Sequence, residues 1–447
     1  MKKERILGVL VLLLTCMLLT ACQTADDEDQ EPEMVTLVYA NLTEGGVNRE
    51  KVDQFNRTHT DVQIEVRDYY SAEDPLGDMA RQRLLTEFGA GQTPDIIDMN
   101  GMPYTQLAQK GYLEDLWPYI DADPDAAREN LMVRPLEAAE IDGGLYVVFD
   151  QVLINTLAGA ERVVGDRNSW SLSDLQAAFA AMPDGSTVAD HYLTKSDMFY
   201  YCLSMMLDNY VDVKTGQCSF DCEEFRAALE FVNSFPGKFD WSNGEAVLIE
   251  QVDRIISNQQ MLSQANIGGA RSVQEYDFLY RGPASFVGYP VTDGSVGSSF
   301  LPRGSILSIS SACRNKEAAW EFVREILLPR WTEQSLRNSG NGDLWLPINR
   351  EDYELINRMY ASDQYSSDTR YFSSENTQRL TYHPLTEDEI QRFEKLYDSI
   401  EKIEMCDQTL YSLVLESCGP YFAGDRTLDD TISLIQNRAQ LYVNELR

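Results

Sequence analysis

The chain of 447 residues exceeds what one hydrophobic core organises, so two or more domains are expected and a small disulfide scaffold is excluded. With 43% hydrophobic and 24% charged residues it reads as an ordinary globular protein, neither disordered nor multi-span. The 72 acidic against 37 basic side chains leave a formal charge of −35, a field that repels phosphodiester backbones and argues against nucleic acid, and only three scattered histidines (His59, His191, His383) are available as metal ligands or general bases, so no metal and no cofactor is expected.

Lys2, Lys3 and Arg5 precede an apolar run from Ile6 to Leu19, too short for a comfortable membrane span and suited to the core of a secretory signal. Leu19-Thr20-Ala21-Cys22 follows directly and resembles a bacterial lipobox. Residues 1–21 are therefore expected to be a lipoprotein signal peptide, with Cys22 lipidated and first in the mature chain. Residues 22–34 carry Asp26, Asp27, Glu28, Asp29, Glu31 and Glu33 with little that is apolar, and read as a solvated acidic tether. Cys202, Cys218, Cys222, Cys313, Cys406 and Cys418 remain for up to three bridges or for buried free thiols, with the pairing open.

Val35–Tyr39 reads as a buried strand, and Asn48 as the cap of a helix running through Val52 and Phe55. Val62, Ile64 and Val66 alternate as a second strand; Met79, Ala80, Leu84 and Phe88 fall at helical spacing and stop at Gly89 and Gly91. Pro94–Asp98 gives a third strand and a short helix surrounds Leu107. Strand, helix, strand, helix, strand implies parallel neighbours joined by crossovers. From Trp170 to about Gln260 helix signals dominate, beginning with a capping box at Ser171-Leu172-Ser173-Asp174. Strand signals return at Phe286–Tyr289 and Ser305–Ser310, Asn315 opens a helix with Trp320, Val323 and Leu327 inward, and the last helix is capped by Thr427 with Ile432, Ile435 and Ala439 inward.

Parallel sheets present ligands at the carboxyl ends of their strands, which singles out Asn41 after the first strand and Met99 and Asn100 after the third. No Gly-x-Ser-x-Gly, His-Glu-x-x-His or P-loop motif is present. Asp121-x-Asp123-x-Asp125 imitates a calcium loop, but Ala126 and Met132 stand where the turn glycine and bidentate glutamate are needed. Pairs of carboxylates able to hydrolyse a glycoside are not removed by composition, so a cell-surface glycoside-active enzyme stays open, as does a solute sensor without transport.

Several stretches, in order, resemble the extracellular solute-binding proteins of ABC importers, of the carbohydrate type that includes maltose-binding protein: "FNRTHTDVQIEV" at 55–66, "GQTPDIIDM" at 91–99, "LAQKGYLEDLWPYI" at 107–120, "DGGLYVVFD" at 142–150, "NGEAVLIE" at 243–250, "GYPVTDG" at 288–294 and "SILSISSACRNKEAAWEFVREIL" at 305–327. The C-terminal "CGPYFAGDRTLDDTISLIQNRAQLYVNE" is similar to lipoprotein members from Gram-positive bacteria. The resemblance implies an α/β, two-lobe periplasmic-binding-protein-like fold of type II, mainly parallel sheets with flanking helices and a hinge. It divides the chain into a first lobe of 35–147 and 284–335 and a second of 148–283 and 336–447. It implies a non-enzymatic, lipid-anchored subunit that captures a carbohydrate, an oligosaccharide in particular, and hands it to permease partners.

The same resemblance places polar ligand contacts at Asp150 and Gln151, after the Leu145–Phe149 strand, and at Glu250 and Gln251, after an expected Ala246–Ile249 strand. Relatives often carry a proline where this chain has Phe149-Asp150, a departure that bears on the ligand geometry there. Sugar rings also stack on aromatic faces, for which Tyr289 and Trp345 are the candidates, whereas Trp241 and Trp320 are assigned to packing.

Overall fold

The computed structural model describes residues 34–446 apart from 43–47, 72, 74–76, 204–206, 208, 213–214, 292–293, 339–344, 363–367, 375–376 and 406. The expected signal peptide, the expected lipidation site Cys22, all of the expected tether before Met34, and Cys406 lie outside the described residues. The cysteines Cys202, Cys218, Cys222, Cys313 and Cys418 are free thiols. Among the described residues no helix is long and apolar enough to cross a membrane.

The N-terminal third follows its hydrophobic pattern. β1 (Val35–Asn41) pairs in parallel with β2 (Val62–Asp68) on one side and β3 (Ile96–Asp98) on the other. The helices Arg49–Thr58 and Asp78–Gly89 lie between the strands in sequence, and bury Val52 and Phe55, and Leu84 and Phe88. Asn48 does not cap its helix: its side chain makes no cap bond, and its Nδ2 donates instead to the Tyr39 hydroxyl at 2.9 Å.

The remaining strands are β4 (Val148–Ala160), β5 (Val211–Asp212), β6 (Gln217–Cys218), β7 (Leu262–Ile267), β8 (Ala284–Phe286), β9 (Ser299–Ile309), β10 (Leu346–Pro347), β11 (Asp368–Phe372) and β12 (Thr377–Thr381). One sheet runs β10-β4-β9-β3-β1-β2, with β7 and β8 also paired to β4, while β5-β6 and β11-β12 form separate ribbons. Among the described strands only the β1–β2 and β1–β3 pairings are parallel; β9 returns antiparallel to both β3 and β4, and β7, β8 and β10 are antiparallel to β4. The sheet is thus mixed, less parallel than the sequence pattern implies. The two long strands explain this: β4 pairs antiparallel with β9 along most of its length and takes β7, β8 and β10 as further antiparallel partners.

Two cores result. The larger gathers Leu37, Tyr39, Leu84, Phe149 and Phe322 around the sheet and also takes Phe393, Leu396 and Tyr397 from the helix Glu387–Ser399. The smaller packs Trp170, Phe199, Phe220 and Phe225 against Leu410, Val414, Ile432 and Ile435 from the last two helices, Gln408–Ala423 and Leu428–Leu446. The capping box at Ser171 forms as expected, with Asp174 N donating to Ser171 Oγ at 3.1 Å and Ser171 N donating to Asp174 Oδ2 at 3.0 Å. Thr427 likewise accepts from Asp430 N at 3.2 Å.

Two expectations are corrected. Ala246–Ile249 is not a strand but part of the helix Gly244–Ile256, capped by Asn243, whose Oδ1 accepts from Ala246 N at 3.3 Å. Val247, Val252 and Ile255 are buried at helical spacing while Leu248 faces solvent, so the run of four apolar residues was the visible part of a 3.6-residue pattern. Trp241, assigned to packing, is 51% exposed, whereas Trp320 is buried on its helix as expected. The carboxylates of the calcium-like stretch are taken up by arginines: Asp121 pairs with Arg128 at 2.6 Å, and Arg324 Nη2 bridges Asp123 and Asp125 at 2.9 Å each.

Candidate functional site

Asp150 sits at an irregularity in the pairing of the two longest strands. The pairing of β4 with β9 slips between Phe149 and Gln151, and the backbone opposite turns through Gly304 at φ +73°. A Cβ on Gly304 would lie 2.0 Å from Asp150 Oδ1, so only glycine admits the carboxylate there. Oδ1 accepts from Ser305 N at 3.0 Å; Oδ2 receives Arg330 Nη1 at 2.6 Å and Lys51 Nζ at 3.2 Å. Asp150 is therefore a buried, fully engaged carboxylate that joins the helix Arg49–Thr58, β9 and the Arg330 segment. Burial lowers the Lys51 pKa, while Asp150 pulls it the other way. Gln151, the next residue, is half-buried on β4 opposite Arg303 and Pro347.

The carboxyl ends of the first lobe's strands carry polar groups, as a parallel sheet predicts. Asn41 Nδ2 donates to Asp68 Oδ1 at 2.8 Å, and Arg49 Nη2 meets both Asp68 oxygens at 2.7 Å. The Asn41 hydrogen bond, with Arg49, holds the Asp68 carboxyl below its ordinary range. Asn100 folds back onto Asp98, its N donating at 3.0 Å and its Nδ2 at 2.5 Å to the same Oδ1. Met99 points into the core and is 1% exposed.

A cavity of about 160 Å³ opens beside β4, β7 and β10. Leu153 of β4 and Leu346 and Pro347 of β10 form one side; Asn266 at the end of β7 and Gly268–Ser272, leading into the helix Arg271–Tyr280, form another. Trp345, Tyr353, Asn357 and Tyr360 complete the wall. Arg271 lies over the rings of Tyr382, at 3.5 Å from the centroid, and Tyr360, at 4.8 Å, while the Tyr382 hydroxyl donates to Glu275. Aromatic faces, two amides, a guanidinium and a carboxylate thus converge on a volume below the ~300–1,000 Å³ that encloses a drug-sized ligand. It is the size of one wall of a site rather than a whole one. Among the described residues no cluster of three His, Cys, Asp or Glu residues could hold a metal ion.

Of the nine expected contact residues, Trp345 alone lines this cavity. Glu250 sits on the helix Gly244–Ile256, half-exposed and paired with Arg254 at 2.9 Å. Gln251 Nε2 donates to Asp190 Oδ1 at 2.8 Å and to the Tyr192 hydroxyl at 3.3 Å. Tyr289 is 2% exposed in the smaller core, pressed against Gly297, where a Cβ would come within 1.8 Å of the Tyr289 carbonyl oxygen. Asn266, Arg271, Glu275 and Tyr360 went unremarked in the sequence. The signal for them was Gly268-Gly269 between a strand and a helix, the place where an α/β sheet opens its ligand crevice.

Residues 39–138 match the family model of bacterial extracellular solute-binding proteins. The fold is similar to that of the sugar-binding protein MalE from the phytopathogen Xanthomonas citri, at 15% identity over 92% of this chain and 98% of that one, with a TM-score of 0.55. It is also similar to a putative oligosaccharide periplasmic-binding protein from Synechococcus sp. MITs9220, at 15% identity over 92% and 99% of the two chains with a TM-score of 0.50. A de novo designed cysteine esterase shares the fold at 14% identity over 93% and 100% of the two chains, with a TM-score of 0.53. The comparison with curated proteins gave no match. The solved structures thus show a two-lobe, maltose-binding-protein-like fold, and the part of the chain at residues 39–138 is similar to bacterial extracellular solute-binding proteins.

Proposed function

We propose that this protein is the substrate-binding subunit of an ABC importer, held on the extracytoplasmic face of the membrane by a lipid on Cys22, and that it captures an oligosaccharide and delivers it to permease subunits. The observation that carries the reading is the cavity at Trp345, Asn266 and Arg271, placed where β4 and β10 meet the second lobe. Its aromatic walls suit the C–H faces of a pyranose, and its amides and charged groups suit the hydroxyls. Asn41, Asn100 and Asp68 at the strand ends of the first lobe supply the opposing polar groups. Closure about the Asp150 hinge brings the two half-sites together, excludes water and changes the outline that a permease meets. The sugar-binding MalE from Xanthomonas citri, which shares the fold, supports the carbohydrate assignment.

The test is a thermal-shift screen of the chain carrying Cys22→Ala against mono- and oligosaccharides, peptides and polyamines. A ligand at about a hundred times its Kd adds about 2.7 kcal/mol, a readily visible shift. A sugar recovered intact after binding supports the receptor; a sugar recovered cleaved sinks it in favour of an enzyme, and a response to peptides alone removes the carbohydrate assignment.

A further inference from the structure

We propose that Arg303 is an anion-recognition residue at the border of the Trp345 cavity, and that the captured oligosaccharide is acidic, with a sugar carboxylate or sulfate ester beside the ring held in that cavity. The inference rests on the carbohydrate reading above and narrows its substrate class. β4 lies between β10 and β9, and the register across the three strands sets Pro347 opposite Gln151 and Gln151 opposite Arg303. Further along, Leu153 stands opposite Leu301, and Asn155 stands between Ser299 of β9 and Asn266 of β7. Residues opposite one another, and residues two apart on a strand, share a face of the sheet. Pro347, Gln151, Leu153, Asn266 and Arg303 therefore occupy one face, and Pro347, Leu153 and Asn266 line the cavity. Strand spacing puts the Arg303 backbone about 8 Å from that of Leu153 and about 10 Å from that of Pro347.

The irregularity in β9 sets the aim of this side chain. Arg303 and Ile306 are three residues apart and would point to opposite sides of a regular strand, yet they stand opposite Gln151 and Phe149, which are two apart. The extra residue is absorbed at Gly304, and Asp150 Oδ1 holds the turn by accepting from Ser305 N at 3.0 Å. Bulges re-aim side chains in this way. Arg303 is half-buried, with part of its surface open to a ligand, and among the described residues its side chain makes no hydrogen bond and no ion pair. In a chain with 72 acidic against 37 basic side chains, a half-buried guanidinium without a counter-charge calls for a partner. The carboxylate its charge reaches is Glu404, but burial pushes that acid toward its neutral form, and its Oε2 accepts from Asn155 Nδ2 at 3.1 Å. In the cavity itself Arg271 and Glu275 offset each other in charge, so the surplus lies with Arg303. A guanidinium presents its N–H donors as a planar fork that matches a carboxylate or another oxyanion in two parallel hydrogen bonds, which neutral hydroxyls do not reproduce.

The test titrates the full chain, as wild type, Arg303→Ala and Arg303→Lys, with uronate oligosaccharides, the same oligosaccharides as methyl esters, sulfated oligosaccharides and neutral ones. Wild type is expected to bind an acidic oligosaccharide at least about tenfold tighter than its uncharged counterpart, the scale of one charge-assisted hydrogen bond. Arg303→Ala should erase that preference while leaving the affinity for the uncharged form, Arg303→Lys should keep part of it, and both variants should melt with wild type. A preference for the sulfated set over the uronates supports the anion site and assigns it to a sulfate ester. If wild type binds neutral or esterified sugars as tightly as acidic ones, or if Arg303→Ala weakens both forms equally, the anion site is overturned and the carbohydrate reading stands. If wild type binds no saccharide at all, the carbohydrate reading fails and the inference fails with it.

Discussion

Asp150 and Arg330 meet at 2.6 Å at the point where β4 slips its register against β9, 180 residues apart in sequence. With Lys51 at 3.2 Å on the same oxygen, the pair fastens three segments to the hinge. Removing one member of such a buried pair leaves charges without a counterpart. Lys51 and Arg330 are about a quarter exposed and can hydrate, so Asp150→Ala is expected to cost about 3 kcal/mol, the lower end of the range for breaking buried pairs. A urea melt measures it through the shift in midpoint, and a loss below about 1 kcal/mol would mean the hinge does not depend on this carboxylate.

Trp345 behaves differently, being 38% exposed at the edge of the cavity. Trp345→Ala removes ring area from the ligand wall without opening a core. The expected outcome is an affinity for the captured sugar lower by about tenfold, with an unchanged melting temperature. A titration that returns wild-type affinity removes Trp345 from the site.

These two residues mark how far the sequence carries the argument. The β1–β3 unit was legible because its strands and helices each keep one period, and the Ser171 box because its bonds are local. Ala246–Ile249 was misread because four apolar residues in a row fit either period, and the Asn243 cap that decides the matter lay just before them. The role of Asp150 was not legible at all, since its partners Lys51 and Arg330 lie 99 and 180 residues away. The cavity draws on β4, β7, β10 and two helices, so a linear scan found Trp345 but not Arg271 or Asn266.

Asp190 is buried beside β7, and burial raises its pKa to about 6 despite hydrogen bonds from Gln264 N, Gln251 and Gln260. An acid whose folded pKa lies above its unfolded value binds more protons when folded, so its contribution to stability is present at low pH and is lost as pH rises through the folded pKa. Between pH 4 and 6.5, where the model-value carboxyl of 3.8 and the folded one near 6 differ in protonation, wild type should lose up to about 3 kcal/mol relative to Asp190→Asn as pH rises. Paired denaturation curves at pH 4.5 and 7 measure the difference, and a gap between the two proteins that stays constant with pH would sink the assignment.

Gln106, Asp407 and Tyr442 join the N-terminal α/β unit to the C-terminal helices. Gln106 belongs to the helix Tyr104–Gln109 that follows β3, and its Nε2 donates to Asp407 Oδ2. Tyr442, on the last helix, donates its hydroxyl to the same oxygen at 2.9 Å and lies 3.2 Å from Gln106 Oε1. The other Asp407 oxygen caps the helix Gln408–Ala423 by accepting from Thr409 N at 3.0 Å and Leu410 N at 3.2 Å. The carboxylate is therefore fixed by its own helix while Gln106 and Tyr442 bond both to it and to each other, which makes the three groups one coupled cluster rather than two independent bonds. Tyr442→Phe should cost about 1 kcal/mol, and Gln106→Ala a similar amount, but the double variant less than their sum. A double-mutant cycle in urea is expected to return a coupling of about 0.5 kcal/mol or more. Strict additivity would show that the C-terminal helix and the first lobe are held in place separately.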